Sequence, residues 1–201
     1  CNEVFQLHTF KRKGDKQKEY IKPDKIEYYE PLKEAVLGWF AKRGISEKTL
    51  NDLRITSGLE FMPQTGNKQN TIQFNYFIGG ELVNIKYRDA SKNFKLYKGA
   101  EKIFYNIDNT VGKDNCVIVE GEMDVLALHE AGVNNAISVP NGATLNHNNL
   151  DYLDNCIDYF LDKEKIIIAV DSDEAGQALQ QELIRRLGAE ICYTCLLYTS
   201  D

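Results

Sequence analysis

The C-terminal half of the chain alternates strand-like and helical segments, and this alternation restricts the possible folds more than any other feature. Runs rich in β-branched and apolar residues predict strands at 116–120, 136–140, 165–171 and 190–195. Apolar residues with helical spacing predict helices at 122–131, 148–161 and 174–187. Repeated strand–helix–strand units of this length predict an α/β fold, a parallel sheet flanked by helices, over residues 113–196.

The N-terminal half has a different pattern. A helix is predicted at 31–44, and Ser46 is a suitable N-cap for a second, short helix. Two strand-like runs, 71–78 and 81–89, flank a pair of glycines and predict a β-hairpin. We therefore expect a smaller α+β subdomain with an antiparallel sheet at residues 29–112.

The two ends of the chain are expected to lie outside these domains. The segment 11–25 is charged and poor in apolar residues, so residues 1–28 are predicted to be a linker or the remnant of an upstream domain. The chain begins with Cys1 rather than Met, and we expect a fragment of a longer protein. Residues 197–201 do not suit the predicted domain and are expected to be a non-native tail.

Composition argues against a membrane protein and leaves a nucleic-acid partner open. The apolar runs fall well short of the roughly 20 residues needed to cross a bilayer. The five cysteines are odd in number and irregularly spaced, which favours a reduced, cytoplasmic protein. Cys192-x-x-Cys195 lacks a second ligand pair for zinc. The net charge of −6 argues weakly against phosphate binding, but the stretch from Lys86 to Lys102 carries six basic residues against two acidic ones.

Two of the predicted parallel strands end in acidic residues. Glu120-Gly121 follows the first strand, with Asp124 three residues later, and the third strand ends in Asp171-Ser172-Asp173. Ligands bind at the carboxyl ends of strands in such sheets, so neighbouring strands would bring Glu120, Asp171 and Asp173 together. Carboxylates held close need a cation, and oxygen ligands favour Mg²⁺ or Mn²⁺. We therefore predict a metal site, in which Gly121 allows close backbone approach and Asp124 complements the following helix dipole.

Acidic residues at strand ends also have an ordinary structural role, because they often lie in the first turn of a helix. We interpret Glu122 and Glu174 in this way. A single D-x-D motif carries little information. The pairing of E-G-x-x-D after one strand with D-x-D-x-x-G after a later strand is much more specific.

The paired acidic motifs resemble the signature of the Toprim domain, which is shared by DNA primases, type IA and type II topoisomerases and some nucleases. The whole stretch 31–196 is similar to phage bifunctional primase-helicases and their mitochondrial relative Twinkle. The segments that carry this resemblance are AKRGISEKTL (41–50), VNIKYRDASKNFK (83–95), KIFYNID (102–108), VIVEGEMDVLAL (117–128), PNGAT (140–144) and DSDEAGQAL (171–179).

The resemblance implies a Toprim fold and a DNA primase that makes short RNA primers on single-stranded DNA by metal-dependent nucleotidyl transfer. It implies Mg²⁺ or Mn²⁺ as cofactor, single-stranded DNA and ribonucleoside triphosphates as partners, and a helicase domain in the full-length protein of a bacterial or phage-infected cell. The implied catalytic residues are Glu120, Asp171, Asp173, Lys86 and Lys92, and the three carboxylates would bind the metal. The implied nucleotide- or DNA-binding residues are Lys86, Arg88, Lys92, Gly121, Asp124, Asn141 and Gly142.

Other functions stay open at this point. A Toprim nuclease or topoisomerase would share the acidic motifs. A helicase accessory that binds single-stranded DNA without synthesis would arise if a further acidic residue, which the family has after the last strand, were lost. A phosphoacceptor receiver domain also has acidic strand ends, but it needs a lysine on its last strand, where residues 190–195 have none. Without the resemblance, Lys86 and Arg88 would be interpreted as one solvated strand face.

Overall fold

The computed structural model describes residues 19–24, 31–143 and 150–197, so most of the predicted linker and tail lies outside it. The α-helices in these ranges are α1 Glu34–Ala41, α2 Glu47–Asp52, α3 Glu122–Glu130, α4 Asp151–Cys156 and α5 Glu174–Leu187. The strands are β1 Thr56–Met62, β2 Asn67–Ile78, β3 Glu81–Asp89, β4 Phe94–Leu96, β5 Asn115–Val119, β6 Ala136–Ser138, β7 Lys165–Asp171 and β8 Cys192–Leu197. None of the described helices combines the length and the apolar character needed to cross a membrane.

Strands β1 to β4 form an antiparallel sheet in the order β1-β2-β3-β4. The predicted hairpin is β2–β3, and its turn places Gly79 and Gly80 at φ 58° and 79°, a region that glycine adopts without steric cost. The carboxylate of Asp108 closes this turn, because its two oxygens accept hydrogen bonds from both glycine amides at 2.9 Å. The sequence pattern does not predict β1 or β4, since Gly58 interrupts the first and the second has only three residues.

Helices α1 and α2 form where the sequence predicts them, although α1 is shorter than 31–44. The Ser46 hydroxyl caps α2 by accepting a hydrogen bond from the Thr49 amide at 3.3 Å. Glu130, at the end of α3, accepts hydrogen bonds from the amide and the hydroxyl of Ser46, at 3.0 and 2.8 Å, and from the Thr49 hydroxyl. These contacts dock α2 onto the C-terminal half of the chain.

Strands β5 to β8 form the predicted parallel sheet, in the order β6-β5-β7-β8. Strands β5 and β7 are central neighbours, and consecutive residues such as Ile118 and Val119 are fully buried, as expected when both faces of a sheet are covered. Helix α3 packs against β6, and α5 packs against β7. Cys192 and Cys195 lie on β8 as free thiols, in agreement with the strand interpretation of this pair.

The helix predicted at 148–161 is only partly α-helical in the described residues. Helix α4 ends at Cys156, and the chain continues as a 3₁₀ turn over Ile157–Phe160. The side chain of Asn155 donates a hydrogen bond to the carbonyl of Lys102 at 2.8 Å. Asn, Cys, Ile and Asp are weaker helix formers than Leu or Ala, so tertiary contacts decide the local geometry here.

One hydrophobic core joins the two sheets. The rings of Phe74 and Tyr76 on β2 pack edge-on against Tyr105, with ring centroids 6.1 and 5.2 Å apart. The backbone of Tyr105 in turn pairs with Ser138 on β6. The boundary predicted near residue 112 therefore separates two sheets that share one core.

Candidate functional site

The carboxyl ends of β5 and β7 lie side by side, because the two strands are parallel neighbours. Glu120 follows β5, and its Oε1 accepts a hydrogen bond from the backbone amide of Asp171 at 2.8 Å. Asp171 is the last residue of β7, and the exposed Asp173 follows two residues later. The structure thus brings together the strand ends that carry the three predicted metal ligands.

The start of α5 closes tightly over these strand ends. Asp173 is the N-cap of α5, and its Oδ1 accepts a hydrogen bond from the Gly176 amide at 2.7 Å. A Cβ atom on Gly176 would lie 2.2 Å from the carbonyl oxygen of Asp171 and 2.6 Å from Oε1 of Glu120. Only glycine allows this approach, which explains physically the glycine that ends the second acidic motif.

Gly121 and Asp124 form a local cap at the start of α3. The Gly121 amide donates a hydrogen bond to Oδ2 of Asp124 at 3.0 Å. Asp124 is an exposed residue, but its carboxyl group is partly buried. This burial raises the pKa of Asp124, and the charges of Asp171 and Glu122 raise it further. Asp124 lies in the first helical turn, as predicted, and its charge also interacts with the charges of the acidic strand ends.

The loop after β6 also reaches the acidic strand ends. Asn141 is exposed, Gly142 has a φ of 66°, and the backbone amide of Ala143 forms a hydrogen bond with the carboxylate of Glu120. Two backbone amides, those of Asp171 and Ala143, therefore hold this carboxylate. The remainder of the loop, from 144 to 149, lies outside the described residues.

The acidic strand ends concentrate negative charge. Burial raises the pKa of Glu120, the two amides oppose this rise, and the charges of Asp171 and Asp173 add to it. Within the described part of the chain, none of Glu120, Asp124, Asp171 and Asp173 forms an ion pair with a basic side chain. Repulsion between such carboxylates is what a bound cation would relieve.

The donor set suits a hard divalent cation that is held only partly by protein. All the donors are oxygens, as Mg²⁺ and Mn²⁺ prefer. No three His, Cys, Asp or Glu side chains in the described residues are grouped closely enough to enclose a metal ion by themselves. Mg²⁺ usually binds one or two carboxylates and completes its shell with water and substrate phosphates, so this arrangement fits it.

Lys86 lies in a buried ion pair beside this acidic cluster. Its Nζ is 2.9 Å from both carboxylate oxygens of Glu122, the first residue of α3, and Oε1 of Glu122 also accepts a hydrogen bond from the Tyr76 hydroxyl. Lys86 is 8% exposed and Glu122 is 3% exposed. The sequence suggested a simple helix-cap role for Glu122 and no role for Tyr76, because the partners lie far apart along the chain.

Within the described residues, Arg88 and Lys92 form no ion pair with the acidic strand ends. The Arg88 guanidinium stacks 4.7 Å from the ring centre of Trp39, and Arg43 stacks on the same ring at 3.6 Å. Burial lowers the pKa of Arg88, and the charge of Arg43 lowers it further. Neither Trp39 nor Arg43 is among the site residues predicted from the sequence, although Arg43 lies in a segment that carries the resemblance.

A groove of about 480 Å³ lies beside Arg88, between α1 and the sheet strands β1 to β3. Trp39, Ile72 and Asp89 contribute to its lining. Lys92 is exposed in the turn that follows β3, at a φ of 62°, and the carboxylate of Asp89 shapes that turn by accepting hydrogen bonds from the amides of Ser91 and Asn93 at 2.9 Å. Lys92 therefore projects from a well-formed turn.

Comparison with known proteins agrees with this geometry. The family model of the Toprim domain matches residues 114–194, which contain β5, β6, β7 and the first half of β8. The chain contains a Toprim domain. The chain is 39% identical over 175 residues to a "Primase homolog protein" of Arabidopsis thaliana, and 37% identical over 175 residues to a "Twinkle homolog protein" of the same plant.

These matches cover 82% of this chain, but only 50% and 24% of the two relatives. The chain thus spans about half of one curated relative and a quarter of the other. Among solved structures, the primase fragment of the bacteriophage T7 primase-helicase superimposes with a TM-score of 0.64 and 26% identity, over 78% of this chain and 64% of that one. The resemblance to primase-helicases therefore extends to the α+β part upstream of the Toprim domain.

Proposed function

We propose that this chain is the catalytic part of a DNA primase, which synthesises short RNA primers on single-stranded DNA during DNA replication. The observation that carries the proposal is the arrangement of charge. Carboxylates without an ion-pair partner among the described residues lie at the end of the Toprim sheet, and Lys86 of β3 is held beside them by its ion pair with Glu122. An enzyme that joins nucleotides needs both features, because it must hold metal ions and anionic phosphates close together.

In this proposal Glu120, Asp171 and Asp173 hold Mg²⁺ or Mn²⁺. The bound ion would polarise phosphoryl oxygens and neutralise the charge that develops on them. The hydrogen bonds from the amides of Asp171 and Ala143 orient the Glu120 carboxylate and leave part of it available to a ligand. Gly176 keeps the N-terminal end of α5 close to the same carboxylate.

The reaction forms one phosphodiester bond per step. The 3′-hydroxyl oxygen of one ribonucleotide attacks the α-phosphorus of the next, the bond from that phosphorus to the bridging oxygen breaks, and pyrophosphate leaves. The hydroxyl proton passes to a base. Glu120 would accept that proton if it does not itself bind the metal, and as a metal ligand it would orient the cation for the same reaction.

Basic and backbone groups around the carboxylates would bind the template and the incoming nucleotide. Lys86 and Arg88 lie on β3, and Lys92 is presented by the following turn. Gly121 and Asp124 follow Glu120 at the start of α3, and Asn141 and Gly142 precede Ala143, whose amide contacts Glu120, so these four residues are further candidates for such contacts. Phosphate contacts of this kind fix the position of a nucleic acid without reading its sequence, and they weaken with salt.

The surroundings of the enzyme are part of the proposal. The names of the T7 primase-helicase and the Twinkle homolog support a helicase domain as the partner in the whole protein. The free cysteines in the described residues suit a reducing compartment, such as the cytoplasm of a bacterial or phage-infected cell. The name of the plant Twinkle homolog adds chloroplasts and mitochondria as the alternative setting.

The test is incorporation of labelled ribonucleotides by the chain on single-stranded DNA with Mg²⁺ or Mn²⁺. Template-dependent oligoribonucleotides in the wild type, absent in Glu120→Gln, would support the proposal. Glu164→Gln is the matched control, because Glu164 is an exposed carboxylate at the opposite end of β7. Cleavage of the DNA without synthesis would identify a Toprim nuclease instead. Binding of DNA without either reaction would identify a helicase accessory.

A further inference from the structure

The ion pair between Lys86 and Glu122 connects the two sheets at one point. Lys86 belongs to β3 of the antiparallel sheet, whereas Glu122 begins the helix that follows β5 of the parallel sheet. Both Nζ–oxygen distances are 2.9 Å, and the hydroxyl of Tyr76 donates a hydrogen bond to the same carboxylate. Lys86 is 8% exposed and Glu122 is 3% exposed, so this ion pair is largely shielded from solvent.

Such a contact holds the ammonium group in a defined place. A buried charge is costly without its partner, so the lysine cannot leave the carboxylate without a large penalty. Burial, followed by the charge of Glu122, raises the pKa of Tyr76 well above its ordinary value, so the phenol stays protonated and donates at neutral pH. The ring of Phe94, with its centre 5.3 Å from Nζ, covers a further side of the ammonium.

The ammonium has bonding capacity left over. It carries three N–H donors, and the carboxylate oxygens of Glu122 account for two. Glu122 lies two residues from Glu120 in the sequence. The charge of Asp171 and the charge of Glu122 both raise the pKa of Asp124. Lys86, held in its ion pair with Glu122, therefore lies at the edge of the acidic strand ends. In the proposed function, the phosphates of a metal-bound nucleotide would lie there.

We infer that Glu122 and Tyr76 are positioning residues, which hold the Lys86 ammonium so that its third N–H contacts the polyphosphate of the incoming nucleotide. The inference rests on the proposed function. It assigns a role to two residues that do not touch the nucleotide themselves. It also explains why a lysine that contacts a nucleotide is buried against a carboxylate. The ion pair restricts the side chain and so fixes the direction of the third N–H donor.

A direct test follows the ammonium of Lys86 by NMR in the full chain with ¹⁵N-labelled lysine. The Lys86 ammonium signal is identified by its absence in Lys86→Met. Pyrophosphate with Mg²⁺ is the probe, and it should shift this signal in the wild type. In Glu122→Gln the pyrophosphate affinity, measured by calorimetry, should fall about tenfold, as expected for the loss of one charge-assisted contact. An unshifted Lys86 signal in the wild type would overturn the inference, whatever the variants do.

Two further variants separate positioning from a purely structural role. Tyr76→Phe removes only a hydroxyl, so it keeps the test valid if Glu122→Gln does not fold, and it should weaken pyrophosphate binding by a smaller factor. Glu60→Gln is the matched control, because it breaks the Glu60–Lys95 ion pair (2.8 Å) of the same antiparallel sheet, a pair that involves neither Lys86 nor Glu122. Equal losses of affinity in Glu122→Gln and Glu60→Gln would show a general effect of sheet stability and would contradict the inference.

Primer synthesis measured in parallel keeps this inference distinct from the proposed function. In a synthesising wild type, Glu122→Gln should raise KM for the nucleotide more than it lowers kcat, and Glu60→Gln should change neither. Synthesis by the wild type with an unshifted Lys86 signal would reject the positioning role alone. A shifted signal in a protein that makes no primer would reject the proposed function and retain Lys86, Glu122 and Tyr76 as a phosphate-contacting unit.

Discussion

Oε1 of Glu120 accepts a hydrogen bond from the backbone amide of Asp171 at 2.8 Å, which ties the ends of the two central strands of the Toprim sheet together. The bond fixes one carboxylate close to another. Burial raises the pKa of Glu120, the bond to the Asp171 amide opposes this rise, and the charges of Asp171 and Asp173 add to it. Stability, metal binding and chemistry at this site should therefore respond together to changes in charge.

Gly176→Ala should destabilise the protein by about 1–3 kcal/mol, the usual cost of overpacking. The new Cβ would meet the Asp171 carbonyl at 2.2 Å and Oε1 of Glu120 at 2.6 Å, so α5 would have to move away from the acidic strand ends. Denaturant unfolding measures the effect. Gly38→Ala is the control: Gly38 lies in α1, and a Cβ there meets nothing within 4 Å, so this variant should be neutral or slightly stabilised. Equal stability of the two variants would contradict the close approach.

Glu120→Gln should raise the unfolding temperature of the metal-free protein at neutral pH. The folded state raises the pKa of Glu120, so the ionised carboxylate is disfavoured there, and glutamine removes this penalty while keeping an oxygen for the Asp171 amide. The advantage should shrink as the pH falls through the raised pKa toward the ordinary value of about 4.3, because the wild-type side chain then becomes protonated. Thermal melts in EDTA across this range measure it. A lower unfolding temperature of the variant at neutral pH would show that the charge stabilises the fold.

Mn²⁺ should stabilise the wild type at neutral pH through the same carboxylates. A ligand present at a hundredfold excess over its dissociation constant stabilises the folded state by about 2.7 kcal/mol. The stabilisation should be lost in Asp171→Asn and retained in Glu164→Gln, whose exposed carboxylate lies at the other end of β7. Thermal melts at increasing Mn²⁺ concentrations measure the difference. If Mn²⁺ stabilised all three proteins equally, the metal would bind elsewhere.

Glu130→Gln should loosen the contact between α2 and α3. The hydroxyl of Thr49 and the amide and hydroxyl of Ser46 lower the pKa of Glu130, so the ionised carboxylate is favoured in the folded state. Its contribution should be fully present above the ordinary glutamate pKa of about 4.3 and be lost as the pH falls through the lowered pKa. The variant should therefore melt below the wild type at neutral pH, and the gap should close in acid. A gap that does not depend on pH would show that shape, rather than charge, matters at this contact.

The sequence predicts this fold well where the pattern is local and periodic. Strand β5 is an apolar run followed by Glu120, and β7 is an apolar run that ends in Asp171. Their pairing in a parallel sheet brings these two residues together without further information. The sequence does not predict strand β1, because Gly58 interrupts its pattern. The strand is defined by its pairing with β2. The end of α4 at Cys156 is likewise decided by tertiary contacts rather than by propensity.

The part of the site that the sequence does not reveal depends on contacts between distant segments. Glu122 lies in the first turn of a helix, where an acidic residue already has a local explanation in the helix dipole. Its partners Lys86 and Tyr76 are 36 and 46 residues away on another sheet. The stacking of Arg43 and Arg88 on Trp39 is hidden for the same reason. Packing between the two sheets, rather than any motif, creates these arrangements.

The proposed function depends above all on the acidic strand ends, which we propose to support template-directed nucleotidyl transfer. The most direct measurement is formation of the first phosphodiester bond between two ribonucleotides on single-stranded DNA with Mn²⁺, in the wild type, Asp171→Asn and Glu164→Gln. We expect a dinucleotide with equal release of pyrophosphate in the wild type and Glu164→Gln, and a loss of roughly 10²-fold or more in Asp171→Asn. No dinucleotide in the wild type, or an unimpaired Asp171→Asn variant, would contradict it.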